Sequence, residues 1–303
     1  DWSCAVDDLL PDKSGKLLFL SRELPLSLVR TATAPPCTTL LVQDPIGPGF
    51  LGVFGHHPQR LGRFDADGRL LTSIPIPELP ERNSLVAAMT LSGDRRSVAV
   101  VLNEPSDRTA VCFMVVFDAV TLAERVPLTA LAEQAYVLTT SGPDAFVAFE
   151  SDDGGSATID TSGARTLVGE RESLCQLESE GLSAIGIAQA TEISPALVLL
   201  TARALSPALL WVHPTQSSCR AIAPYEHALE PYATAHLEQG GGRLAIYGGT
   251  GLRGDAHVGL LDVQDQRVIR GATQVGRGVV SQLVEGPGGE IWAAGTIARL
   301  VRR

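Results

Sequence analysis

The sequence predicts an all-β fold, and three observations support that prediction. Short apolar runs recur along the chain and are separated by Gly, Pro, Asp and Ser. A unit of about 48 residues repeats along the sequence. Helical periodicity is nearly absent, so amphipathic helices are not expected to supply the core. These features together indicate a series of antiparallel hairpins.

Each unit opens with an apolar strand, a tight turn and a second apolar strand. In chain order these strand pairs are expected at residues 40–42 and 50–54, 87–91 and 98–102, 136–138 and 145–149, 184–188 and 197–200, 235–237 and 244–247, and 279–284 and 291–293. The second strands start at Phe50, Ser97, Ala145, Ala196, Arg243 and Glu290. Their near-constant spacing predicts six copies of one structural unit.

A third strand then ends in a hydrophobic residue followed by a polar one. The polar residues are Asp65, Asp118, Asp160, His213 and Asp262. Aspartate favours an Asx turn here because its carboxylate can accept the backbone N–H two residues later. Fourth strands are expected at residues 71–76, 124–128 and 266–270.

Four short antiparallel strands in each repeat are typical of a propeller blade. One blade cannot bury both faces of its sheet, so neighbouring blades must pack around a common axis. We therefore predict a six-bladed β-propeller. Seven blades are the alternative, in which residues 1–36 form a degenerate unit.

The sixth unit is one strand short, ending with an apolar run at residues 298–301, whereas residues 17–20 and 26–31 belong to no unit. We therefore expect the N-terminal segment, residues 1–36, to contribute a strand that completes the last blade and closes the ring. In this interpretation residues 37–303 form the blades, and the two parts make one domain.

These units resemble those of bacterial six- and seven-bladed propellers of the NHL, lactonase and surface-layer types. The WD40 Gly-His and Trp-Asp pairs, the kelch Gly-Gly pair, the Asp-box and the tryptophan-docking motif are missing from the units. The resemblance therefore concerns architecture and indicates no specific family. It implies that ligands approach the face carrying the loops between second and third strands and between blades.

Ten residues on the predicted loop face are candidates for ligand binding: His56, His57, Glu104, Asp107, Glu150, Asp152, Arg203, Arg253, Asp255 and His257. One interpretation is that some of them converge on a metal or a polar ligand. The other is ordinary solvated loop charge. Adjacent residues of an extended loop point in opposite directions, so the His-His pair can bind one ion only across a turn. His257 would then be the third ligand.

A glycine-rich run at residues 249–254 matches the GxGxxG pattern of dinucleotide-binding proteins. That pattern requires a helix after the glycines, and here another strand is expected. We predict a glycine-rich hairpin loop. The tripeptide Arg253-Gly254-Asp255 matches an adhesion motif, but so short a match has little weight.

The resemblance to six-bladed lactonases implies calcium held by a Glu, an Asp and two Asn around the channel. Asn83 and Asn103 are the only asparagines and belong to one unit, and Glu180 would be the acidic candidate. The sequence has neither a GxSxG nucleophile motif nor an HExxH helix. We assign no catalytic residue.

The charge and the hydropathy pattern argue against binding to nucleic acid or an anionic membrane surface and against a transmembrane helix. The net charge of −10 opposes binding to nucleic acid or to an anionic membrane surface. Apolar runs are far shorter than the roughly 20 residues of a transmembrane helix.

The five cysteines lack the close pairs of a zinc site. Candidate disulfides are Cys4 with Cys37 and Cys175 with Cys219, and Cys112 is expected as a buried thiol. The alternative is that all five are reduced and buried. The chain starts at Asp1 without an initiator Met, which favours a processed, exported form in which disulfides are permitted.

From these observations we expect an exported bacterial binding or scaffold protein, acting through its loop face on a protein or saccharide. The bacterial assignment rests on the scarcity of lysine relative to arginine. We expect no cofactor, and either a monomer or a component of an envelope complex outside the cytoplasm. The alternative is a metal-dependent lactonase or other hydrolase with a divalent ion in the channel.

Overall fold

The computed structural model describes the strands and many of the connections. It covers residues 15–20, 28–34, 40–55, 58–79, 85–103, 112–131, 135–140, 145–150, 156–160, 165–167, 184–194, 197–204, 208–213, 218–221, 229–237, 241–251, 254–280, 282–286, 289–295 and 297–298. Within these residues the secondary structure is strand and turn, and no helix is long and apolar enough to cross a membrane. The prediction of an all-β protein is confirmed.

The chain forms two compact units, one of residues 1–75 with 222–303 and the other of residues 76–221. The first unit therefore joins the N-terminal and C-terminal parts of the sequence. The prediction that the whole chain is one domain stays a prediction, and each unit is described by itself below.

The second unit contains three four-stranded antiparallel sheets, each with its strands in chain order. The first consists of β7 (Leu85–Leu91), β8 (Ser97–Asn103), β9 (Cys112–Asp118) and β10 (Glu124–Ala130). The next consists of β11 (Ala135–Thr140), β12 (Ala145–Glu150), β13 (Ser156–Asp160) and β14 (Arg165–Leu167). The third consists of β15 (Ala184–Ser194), β16 (Leu197–Ala204), β17 (Ala208–His213) and β18 (Ser218–Ala221).

Neighbouring sheets of this unit contact each other through their first strands: β11 lies against β7 of one neighbouring sheet and against β15 of the other. A cluster of apolar side chains fills the sheet of β7 to β10: Ala88, Ala99, Val101, Cys112, Met114, Val116, Val126 and Leu131. These residues alternate along β8 and β9, as expected when one face of a strand is buried.

The first unit also contains three sheets. One consists of β3 (Leu40–Gln43), β4 (Phe50–Phe54), β5 (Arg60–Phe64) and β6 (Leu70–Pro75). Another consists of β19 (Leu229–Leu237), β20 (Leu244–Gly251), β21 (Asp255–Asp262), β22 (Arg267–Gly278) and β25 (Ile297–Ala298). The third combines β23 (Gln282–Glu285) and β24 (Ile291–Gly295) with β1 (Gly15–Leu20) and β2 (Leu28–Ala34).

The third sheet of this unit joins both ends of the sequence. β1 pairs antiparallel with β24 in the register Leu18 to Ala293, and β2 pairs with the other edge of β1. The N-terminal segment therefore contributes two strands to this sheet and forms no sheet of its own among the described residues.

The position of the C-terminal strand corrects one expectation. The apolar run at residues 298–301 was expected to end the sixth unit; of this run only Ala298 is described, and β25 pairs with Arg277 and Gly278 of β22 in the neighbouring sheet. Two N-terminal strands, instead of the one expected, lie beside β24 in the sheet order β2-β1-β24-β23.

Aromatic side chains pack the sheet of β23 and β24 against the sheet of β3 to β6. Trp292 is fully buried and meets Phe50 edge to face with ring centroids 5.2 Å apart, while Phe50 stacks on Phe64 at 4.7 Å. The Gln282 side-chain amide also donates to the backbone oxygen of Leu41 at 3.2 Å. Both contacts connect the start of the repeat array to its end within this unit.

Candidate functional site

The aspartates that end third strands serve the turns that follow them. Asp65 Oδ1 accepts the backbone N–H groups of Asp67 at 2.8 Å and Arg69 at 2.9 Å. Asp118 Oδ1 accepts those of Val120 at 3.0 Å and Thr121 at 2.8 Å. The predicted Asx turns are therefore confirmed at both positions.

Asp262 has the same role with an added cation. Its Oδ1 accepts the backbone N–H of Asp265 at 2.9 Å, and its Oδ2 meets Arg243 Nε at 3.0 Å. The backbone donor at Asp265 is the main cause that lowers the pKa of Asp262, and Arg243 lowers it further against the opposing effect of desolvation. Asp262 is thus held ionised to stabilise the end of its strand.

Other acidic groups near these turns are also partnered. The buried Asp44 carboxylate lies 2.9 Å from Arg63 Nε. Desolvation raises the pKa of Asp94, but hydrogen bonds from Ser92 and from the backbone of Arg96, with nearby guanidinium charge, leave it below its ordinary value. These carboxylates stabilise local structure, which makes the turn ends poor candidates for ligand binding.

The opposite end of the sheet that contains β20 to β22 carries two of the predicted site residues. Asp255 and His257 are two residues apart on β21, so their side chains lie on one face of the strand. Both are half-buried. A Cβ atom at Gly251 would lie 3.1 Å from His257 Nε2, so the absence of a side chain there makes room for the imidazole.

The neighbouring strand β22 adds two polar side chains to this end. Gln274 is opposite His257, and Arg277 is opposite Asp255. Both Gln274 and Arg277 are exposed. We call these four residues, Asp255, His257, Gln274 and Arg277, the polar cluster.

Asp255 and Arg277 form a non-hydrogen-bonded cross-strand pair, the type in which the two side chains lie closer together. The adjacent Gly278 N–H donates to Gly254 O at 2.7 Å, so the Arg277 N–H points away from β21. Opposite charges in such a pair normally attract each other. Within the described residues, however, no ion pair joins them.

The other face of this sheet holds the polar cluster in place. Ala256, Val258 and Leu260 alternate with the site residues on β21 and are buried in a cluster with Leu283 and Ile291 of the adjoining sheet. The packed face fixes the position of β21, and the polar residues project from the side away from that core.

A tyrosine supports the same strand farther from the cluster. A Cβ atom at Gly259 would lie only 2.3 Å from Tyr247 Cζ, so the Tyr247 ring occupies the space above this glycine. Burial raises the pKa of Tyr247 to about 12, so its hydroxyl stays protonated near neutral pH. This residue packs the sheet and is no acid–base candidate.

The glycine run that imitates a dinucleotide motif forms a hairpin. β20 ends within it at Gly251, and the chain returns directly as β21. The predicted hairpin is confirmed, and the described residues that follow the glycines form a strand and not the helix that would bind a pyrophosphate.

Most other predicted site residues lie outside the described residues: His56, His57, Glu104, Asp107, Asp152 and Arg253. Asn83 and Glu180 lie outside them as well. The backbones of Glu150 and Arg203 are at the ends of β12 and β16, and that of Asn103 ends β8, but none of these side chains is described. In the parts of the chain that the structure does describe, no group of three His, Cys, Asp or Glu could hold a metal.

The cysteine predictions are tested at one position. Cys112 is a buried thiol on β9, as expected. Cys4, Cys37 and Cys175 lie outside the described residues, and only the backbone of Cys219 is described, in β18. Both proposed disulfides remain predictions.

Sequence reasoning missed Gln274 and Arg277. It placed the fourth strand at residues 266–270, whereas β22 extends to Gly278. Three register irregularities against β21 give β22 extra residues and disturb its alternation, so simple periodicity does not extend to these residues. The one feature of the sequence that could have drawn attention to Arg277 is its charge, because β22 contains no acidic residue to pair with it.

Comparison with solved structures identifies the fold. The WD40 repeats of RRP9 match with a TM-score of 0.55 at 13% identity, covering 95% of this chain and 92% of that chain. The U3-55K structure matches with a TM-score of 0.52 at 12% identity, covering 95% and 94%. Hydrazine synthase of Kuenenia stuttgartiensis matches with a TM-score of 0.51 at 12% identity, covering 93% and 99%.

Comparisons by sequence gave no match, either to a family model or to a curated protein. The likeness to solved structures shows a β-propeller fold, and no comparison assigns the chain to a specific family. Its likeness to WD40 repeats without the WD40 residue pairs shows that the strand pattern, and not those pairs, carries the resemblance.

Proposed function

We propose that this β-propeller is a binding module that engages a partner protein through the loop end of its sheets. The observation that carries the proposal is the unbridged pair Asp255 and Arg277. Charged side chains at the turn ends stabilise their own turns, whereas these two are held by a rigid sheet and offer both an acceptor and a donor.

A protein partner suits the cluster better than a small apolar ligand. Arg277 presents a planar guanidinium that can pair with a carboxylate of the partner, and Asp255 can accept from a lysine, an arginine or a backbone N–H. Gln274 and His257 add further polar groups beside them. A saccharide would use the same donors and acceptors, so it is the alternative outcome of the experiment below.

The wider proposal concerns the ring. Six sheets are described, and β1 pairs with β24, which joins the N-terminal segment to the last repeat. We propose that the six sheets are six blades and that this pairing closes the ring. A closed ring would hold the loop ends in fixed positions, which favours recognition over a mobile surface.

The bacterial source, the location outside the cytoplasm and the monomeric or envelope-complex state are further proposals from the sequence. Cell fractionation of the source organism tests the location, and light scattering on the purified protein tests the oligomeric state.

The alternative function is a metal-dependent hydrolase. A divalent ion bound in stoichiometric amount, together with hydrolysis of a lactone, would support it.

The experiment compares three forms of the tagged protein in affinity capture from extracts of the native host, followed by cross-linking mass spectrometry. The Asp255→Ala, Arg277→Ala double variant should lose the partner or weaken it by about tenfold or more, equivalent to roughly 1.4 kcal/mol. Glu124→Ala, a change at an exposed residue of β10, is the matched control and should retain the partner.

Cross-links should map to the loop end near residues 254–257. Full retention of the partner by the double variant, or cross-links confined to the turn ends, would contradict the proposal. Binding to a glycan array without protein capture would identify the saccharide alternative.

A further inference from the structure

β22 is the longest of the described outer strands. It has 12 residues, whereas β2 and β10 have 7, β6 has 6, β18 has 4 and β14 has 3. β10 carries Pro127 in its middle, which removes a backbone donor. Among the described residues, β25 is the only strand on the outer edge of β22, and it covers only Arg277 and Gly278. Residues 267–276 form an edge without a described strand partner.

Charge along this edge opposes that of the whole protein. β22 contains Arg267, Arg270 and Arg277 and neither Asp nor Glu, whereas the chain carries a net charge of −10. The Arg267 side chain is 70% exposed and lies 3.2 Å from Asp265 at its base. A basic strand on an acidic protein favours an acidic partner segment.

Apolar side chains are exposed beside the first arginine. Val268 is 37% and Ile269 is 41% exposed, and they lie at the bulge where β22 has an extra residue between the partners of Leu260 and Leu261. A strand added at this edge would cover part of this apolar surface. That arrangement is typical of recognition by strand addition, in which backbone hydrogen bonds provide affinity and side chains provide selectivity.

β25 shows how the edge accepts a strand. It pairs antiparallel with β22, opposite Gly278 and Arg277. The three bulges of β22 against β21 increase its twist and limit how long a regular ladder can be. The edge therefore suits a short extended segment, and the charge of that segment would determine binding more than its length.

We propose that residues 267–276 of β22 form a docking edge for a short, acidic, extended segment of a partner protein. The segment adds as a further strand to the sheet of β19 to β22, next to β25. This surface lies on the outer edge of the sheet and is separate from the loop-end site, so either proposal can fail alone.

The test uses two fluorescent peptides, one of alternating glutamate and valine and one of alternating lysine and valine, with the full-length protein. The acidic peptide should bind at least about tenfold more tightly, and added salt should weaken it. Hydrogen exchange should show new protection at residues 267–276. Equal binding of the two peptides, or protection elsewhere, would overturn the proposal without requiring any variant.

Substitutions then locate the effect. Arg267→Glu should weaken the acidic peptide by about tenfold or more. Arg69→Glu, at an exposed turn of another sheet, is the matched charge reversal and should leave binding unchanged. Asp255→Ala should also leave it unchanged, which separates this edge from the loop-end site. Equal losses in Arg267→Glu and Arg69→Glu would mean that only net charge matters, and would refute the docking edge.

Discussion

Trp292 provides the sharpest test of how the sheet of β23 and β24 is held. The indole is fully buried, contacts Phe50 edge to face at 5.2 Å, and donates from Nε1 to Glu290 Oε1 at 3.1 Å. Its neighbours Leu41, Phe54 and Val284 belong to the same buried cluster. Replacing it by alanine removes the largest member of that cluster.

The expected loss for Trp292→Ala is about 3–5 kcal/mol, because the lost burial of the ring adds to the cost of the cavity left behind. Domains of ordinary stability have about 5–15 kcal/mol in total. The variant should therefore remain folded but close to the threshold. Trp292→Phe, which keeps an aromatic ring, should lose clearly less.

The measurement is urea unfolding followed by far-ultraviolet circular dichroism, which does not depend on the tryptophan signal. A double-mutant cycle with Phe50→Leu should give a coupling of about 0.5–1.5 kcal/mol for the ring pair. A loss below about 1 kcal/mol in Trp292→Ala, or no coupling to Phe50, would refute the claim that this contact joins the two sheets.

Two further predictions concern the N-terminal strand and the turn charges. β1 is paired on both edges, so Leu18→Pro should destabilise its sheet and reduce hydrogen-exchange protection in β24. Leu18→Ala keeps the backbone donor and should keep that protection, and unchanged exchange in the proline variant would contradict the pairing of β1 with β24. The pKa of Asp262 is lowered in the folded state, so its contribution to stability is present above the unfolded value of about 3.9 and is lost as pH falls through the folded pKa. Asp262→Asn should therefore reduce the free energy of unfolding at pH 7 and flatten its fall in acid, and parallel acid profiles of the two proteins in urea titrations would contradict this.

The repeat pattern alone determined the fold class. Apolar strands at near-constant spacing, with an aspartate after the third strand in four of the units, indicate antiparallel hairpins whose faces must be covered. Four of the six described sheets have four strands in chain order, and the other two include strands from elsewhere in the sequence. The Asx turns at Asp65 and Asp118 and the hairpin after Gly251 were also predictable, because they depend on residues close in sequence.

Only the tertiary structure decided which distant residues meet. The pairing of β1 with β24 joins opposite ends of the chain, and the sequence analysis expected one N-terminal strand in that sheet where the structure has two. The pairing of β25 with β22 of the neighbouring sheet was not expected, because backbone hydrogen bonding leaves little sequence signal for the choice of partner. The placement of Arg277 opposite Asp255 depends on bulges that shift the register of β22. A bulge changes which side chain faces which without changing composition, so the polar cluster could not be assembled from periodicity.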